Sequence, residues 1–125
     1  MTERTRQFWW IIFSCYTALV LIISVIPIPP KIEPKIPSVD KITHLIEYFV
    51  FSWLLMRAQL SSGMSRGRAA WTASFVALGF GTMCEFIQMW LPYRTAEWMD
   101  LVADGIGGVL GTRLVNPRRS DARHG

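Results

Sequence analysis

The side chains able to do chemistry fall in three short stretches. Asp40, Lys41, His44, Glu47 and Tyr48 come first, Glu85 and Gln88 follow, and Arg94, Glu97, Asp100 and Asp104 close the set. A carboxylate beside an imidazole can act as acid and base. Several carboxylates with a histidine can hold a divalent cation. A lysine and an arginine among them can meet a phosphate or a carboxylate. Asp40, His44, Glu47 and Tyr48 are spaced by four, three and one residues and share one face of a helix. Asp100, Asp104, Gly107 and Gly111 fall on one stripe in the same way, so the face that permits close packing also carries two carboxylates. The candidate binding residues are therefore Asp40, Lys41, His44, Tyr48, Glu85, Gln88, Arg94, Glu97, Asp100 and Asp104. His44, Glu85 and Asp100 are the catalytic candidates. No nucleophile motif, phosphate loop or His-Glu-x-x-His signature accompanies them. No cofactor is called for, and Asp100-x-x-x-Asp104 alone does not define a metal.

The chain that must position these groups has 125 residues, 51% of them hydrophobic and only 18% charged, with six Trp and seven Phe. One domain over residues 1–125 is expected, and so little charge cannot cover so much apolar surface in water. Bilayer hydrocarbon is the simplest place to hide it. Cys15 and Cys84 each sit inside an apolar run and read as small hydrophobes rather than metal ligands or a disulfide.

Residues 8–26 are uncharged for nineteen residues, about 28 Å of helix. That is long for a signal-peptide core, and no small-x-small cleavage site follows, so the run reads as a retained span. Five prolines between residues 27 and 39 break the helix and make an extended loop. Ser38 or Asp40 is a suitable N-cap for a second helix over residues 40–59. A Gly/Ser/Arg loop over 61–68 leads to a third over 69–91. A fourth, rich in glycine, covers 98–115, and residues 116–125 form a basic tail. Gly107-x-x-x-Gly111, and by analogy Gly79 and Gly81, are expected at close helix contacts. Trp9, Trp10, Trp71, Trp90, Tyr93 and Trp98 lie near helix ends, as an aromatic belt requires.

On that layout nine basic residues (Arg4, Arg6, Arg57, Arg66, Arg68, Arg113, Arg118, Arg119, Arg123) fall on one side. Four (Lys31, Lys35, Lys41, Arg94) fall on the other. The expected fold is an all-α, four-helix transmembrane bundle with both termini cytoplasmic. It would be a multi-pass protein of the inner, cytoplasmic membrane. Basic residues spread over separate flanks argue against a nucleic-acid partner. Every strongly polar group near a span then collects at the external ends of helices two to four. Arg94 is expected to pair there with Glu85 or Asp100. Carboxylates at membrane depth need partners, so either these groups neutralise one another and fix packing, or they line a pocket open to the outside.

Asp40-Lys41-x-x-His44-x-x-x-Tyr48, then Glu85-x-x-Gln88, then Arg94-Thr95-x-Glu97-x-x-Asp100-x-x-x-Asp104-x-x-Gly107-x-x-x-Gly111 resembles the VanZ-like family of small bacterial membrane proteins. The likeness covers about residues 8–115. The family pattern more often has Ser at 95, Asp at 97 and Asn at 104. The resemblance implies a four-helix integral membrane protein of the bacterial cell envelope, in a family linked to low-level resistance to the glycopeptide teicoplanin. Three functions compete: binding of a lipid headgroup or cell-wall component at the external face; a membrane-embedded hydrolase or transferase on a lipid-linked substrate; and a transporter or channel. For the last, four helices are few, and no charge continues a path inward.

Overall fold

The computed structural model describes residues 2–26, 37–91 and 98–114, with backbone alone for 37–40 and 98. These residues form four helices: α1 (Glu3–Val25), α2 (Pro37–Ser61), α3 (Arg66–Met89) and α4 (Trp98–Arg113). The loop of residues 27–36, the 92–97 connection and the basic tail lie outside the described residues.

Each helix runs past its apolar centre because its ends are chemically suited to it. In α1 the Thr2 side chain accepts from the Thr5 N–H at 3.3 Å, and Glu3 sits in the first turn, where a negative charge meets the positive end of the helix dipole. Helix α2 begins at Pro37, a residue with a preset φ and no N–H to leave unsatisfied. Ser38 and Asp40 therefore lie inside its first turn, and neither is the N-cap expected from the sequence. At its other end the Gly63 N–H bonds Leu60 O and the Met64 N–H bonds Gln59 O, both at 3.1 Å. Gly63 adopts φ +89° there, a left-handed position at no steric cost for glycine. This closure shortens the expected 61–68 loop, and Arg66 and Arg68 join α3.

Contacts fix the directions. Gly107 meets Leu45 and Gly111 meets Phe49 and Ser52, so α2 and α4 run parallel and share the most extensive interface. A Cβ on Gly107 would collide with the Leu45 carbonyl, and one on Gly111 with the Phe49 carbonyl and Ser52 Oγ. Backbones can approach this closely only through glycine. The Ser52 hydroxyl donates to Gly108 O at 2.6 Å, which satisfies a buried polar group across the same seam. Helix α3 packs antiparallel to both through the stripe Ala69, Ala73, Ala77 and Gly81. Gly79, by contrast, faces open space, since no atom lies within 4 Å of its would-be Cβ. Gly79 falls off the buried Ala73–Ala77–Gly81 line, and the packing role expected for it does not hold. Tyr48, Phe51, Leu55 and Met56 of α2 complete the core, with Phe51 and Phe80 stacked at 5.1 Å. Helix α1 lies on the outside of α2, held by Tyr16 OH donating to Glu47 O at 2.6 Å and Trp10 Nε1 donating to Ser62 Oγ at 2.7 Å.

Helices α1 and α3 are long and apolar enough to cross a membrane. Both turn large side chains outward: Phe8, Ile11, Leu19 and Ile22 on α1, and Trp71, Phe75 and Phe86 on α3, are exposed. A soluble core helix would bury them. Helix α2 carries Lys41, His44, Glu47 and Arg57, and α4 has only sixteen residues; neither meets the same measure.

Candidate functional site

The parallel α2–α4 pair brings the polar residues of the two helices level with each other. Lys41 faces Asp100, with Nζ 3.5 Å from Oδ1. One turn further in, His44 sits between both carboxylates of α4: Nδ1 lies 2.9 Å from Asp104 Oδ1 and Nε2 lies 3.7 Å from Asp100 Oδ2. The i, i+4 spacing of Asp100 and Asp104 sets them one above the other on the buried face of α4. The glycines one and two turns below them draw that face against α2, so the close approach and the ion pairs share one cause. On the third side, Gly81 of α3 makes room for Asp104: a Cβ there would stand 2.7 Å from Oδ2.

Burial divides these four side chains. Those of Asp100 and Asp104 are 4% and 2% exposed, and those of Lys41 and His44 are 27% and 19%. The carboxylates thus form a floor, held by polar contacts to Lys41 and His44, and these two side chains form the more accessible rim. Buried acids orient and hold charged donors, and a rim of donors suits an anion. The same imidazole, fixed through Nδ1 by a carboxylate, also has the geometry of a general base.

The other candidates are placed differently. Glu85 is buried on α3, one turn above Gly81, which sets it about 6 Å further along that helix. Gln88 is buried and donates from Nε2 to Ser24 O at 3.1 Å, tying α3 to α1. Tyr48 is 1% exposed and belongs to the aromatic core with Phe51 and Phe80, its hydroxyl meeting the Cys84 thiol. The structure therefore joins Lys41, His44, Asp100 and Asp104 directly. It sets Tyr48 and Gln88 in the packing beneath and beside them. Arg94 and Glu97, and the side chain of Asp40, lie outside the described residues. Among those that are described, no three His, Cys, Asp or Glu side chains are arranged to hold a metal ion.

The VanZ/LLP1 family model matches residues 2–116, nearly the whole chain and all three polar blocks. The chain belongs to the VanZ/LLP1 family. No curated relative and no solved structure matches it. Family membership and the two outward-facing apolar helices together point to a membrane protein.

Reading by spacing alone missed three participants. Ser24 and Cys84 are small groups in apolar runs, and only the fold shows Ser24 O accepting from Gln88 and Cys84 facing Tyr48 and Ser24. Trp9 is more than an interfacial anchor: it packs edge to face on Trp53 at 5.8 Å, with Arg57 over both rings. Two tryptophans bracketing a basic residue are a faint signal when they lie on different helices.

Proposed function

We propose that this VanZ/LLP1 protein is a four-pass protein of the bacterial inner membrane that binds the anionic headgroup of a lipid or lipid-linked cell-wall component at its external face. Both termini are then cytoplasmic, by the nine-to-four basic asymmetry. The observation that carries the reading is the layering of charge: half-buried Lys41 and His44 above fully buried Asp100 and Asp104. Mutual neutralisation alone would not require Lys41 and His44 to be the exposed members. Held from below by Asp100, Lys41 offers its remaining N–H donors to phosphate oxygens at little further cost in side-chain ordering, and His44 holds the two carboxylates in place beneath it. Arg94, the only arginine on the external side of that topology, supplies a planar fork to the same anion. The teicoplanin association of the family fits a ligand from the cell envelope.

One observation favours a second reading. The 2.9 Å contact of His44 Nδ1 with Asp104 directs the remaining ring nitrogen toward Asp100, as in an acid–base pair. In a membrane-embedded hydrolase or transferase on a lipid-linked substrate, His44 would take the proton from the attacking water or hydroxyl, and Asp100 or Glu85 would assist.

Native mass spectrometry from gentle detergent tests the proposal. The protein should carry co-purified phosphate-bearing lipid, the amount of which falls in His44→Ala and Lys41→Ala and is unchanged in Gly79→Ala. An unchanged amount in all three variants, or absence of the lipid from the wild type, would refute it. Turnover of that lipid by the wild type but not by His44→Ala would select the enzymatic reading.

A further inference from the structure

The other end of the bundle holds a second unusual cation. Arg57 lies thirteen residues beyond His44 on α2, about 20 Å along the helix axis. Its guanidinium carbon is 5.6 Å from the centroid of the Trp9 ring and 5.3 Å from that of Trp53. The two indoles meet edge to face, so they form a corner that the guanidinium occupies. Its Nε is buried and has no hydrogen-bond partner among the described residues.

An arginine that only reaches for the membrane interface lays its stem on apolar surface and keeps its head in water. Arg57 instead has its head drawn against aromatic protein. Glu3, the one acid at this end among the described residues, is engaged by Arg6. The first turn of α3 has no acid, and Arg4, Arg66 and Arg68 add positive charge at the same end of the bundle. A partly buried, oriented guanidinium without a carboxylate is a donor set for an anion supplied from outside the chain. Phe8 and Ile11, exposed on the α1 turn around Trp9, continue the corner into apolar surface.

We infer that Arg57, set in the Trp9–Trp53 corner, anchors a second binding site, for the phosphate group of an anionic lipid, at the end of the bundle opposite His44 and Asp104. The guanidinium takes the phosphate oxygens, and the outward face of α1 takes the acyl chain. A free phosphate shares the headgroup chemistry but not the chain.

The test uses the full-length protein in nanodiscs of phosphatidylcholine, with or without phosphatidylglycerol, and reads the thermal midpoint. The wild type should melt higher with phosphatidylglycerol. Arg57→Gln should keep the midpoint seen in phosphatidylcholine and lose most of that gain, and Gly79→Ala, which faces open space, should retain it. Arg57→Lys, which keeps charge but not the planar fork, should bind phosphatidylglycerol about tenfold more weakly. If Arg57→Gln does not fold, Arg57→Lys decides. Inorganic phosphate added to phosphatidylcholine discs should give no gain, and an equal gain would overturn the assignment to a lipid. A phosphatidylglycerol gain equal to wild type in both Arg57 variants, or none in the wild type, would overturn the site itself.

Discussion

Asp104 of α4 lies against Gly81 of α3, so closely that a methyl group on Gly81 would stand 2.7 Å from the Asp104 carboxylate oxygen Oδ2. The glycine is thereby part of the polar cluster: it fixes the carboxylate that holds His44, although it carries no side chain. A small residue on one helix, an acid on a second and an imidazole on a third form one unit. The position of each limits the others.

Gly81→Ala should displace Asp104 and destabilise the protein by about 1–3 kcal/mol, the usual range for overpacking a tight contact. Gly79→Ala, two residues away and facing open space, should be neutral or stabilise by up to about 1 kcal/mol through helix propensity. Thermal unfolding in one detergent compares them. Equal midpoints for the two variants would contradict the contact.

Asp104→Asn keeps the volume and a hydrogen-bond partner for His44 Nδ1 while removing a buried charge. It should change stability by less than about 1 kcal/mol. Asp104→Ala removes the Nδ1 partner of His44 and leaves a cavity, and should cost about 3 kcal/mol. Chemical denaturation of both variants checks the difference. An equal loss would mean that the charge itself, rather than the paired geometry, sustains the cluster.

Much of this arrangement was legible in the chain. The charge-free run 8–26, the prolines that follow it and the Gly107-x-x-x-Gly111 stripe locate helices and their close contacts, because helix length and backbone approach follow from local composition. The i, i+4 spacing of Asp100 and Asp104 put both on one face, and they point into the bundle. What spacing cannot give is rotation and register between helices. Tyr48 shares a helical face with His44 in sequence, yet one turn of depth moves it from the rim into the aromatic core. Gly79 and Gly81 look alike in sequence, and only the Ala73–Ala77–Gly81 line, which depends on how α3 is rotated, tells them apart. The Arg57 corner needs α1 and α2 brought together, which no motif on either helix encodes.

Arg94→Lys preserves charge but not the planar fork, so on the proposed site it should weaken headgroup binding while expression stays normal. Arg94→Ala should weaken it further. Binding and yield measured together separate the two effects, and wild-type affinity in both variants would remove Arg94 from the site.

The proposed topology places the 27–39 loop outside the cell and the C-terminal tail inside. In intact cells a membrane-impermeant maleimide should label Ile32→Cys, and it should reach Ser120→Cys only after permeabilisation. The opposite pattern would invert the protein and move the Lys41–His44 rim to the cytoplasmic face.

The most direct test of the central claim, that Lys41 and His44 present a rim to an anionic headgroup, is photocrosslinking from their own helix. Ile42 is 54% exposed and adjoins Lys41, so a photoreactive residue there samples what approaches the rim. In native membranes the lipid captured from position 42 should be enriched in phosphate-bearing species relative to the bulk. That enrichment should disappear with Lys41→Ala and survive Arg57→Gln. Captured lipid that mirrors bulk composition, with or without Lys41, would contradict the account.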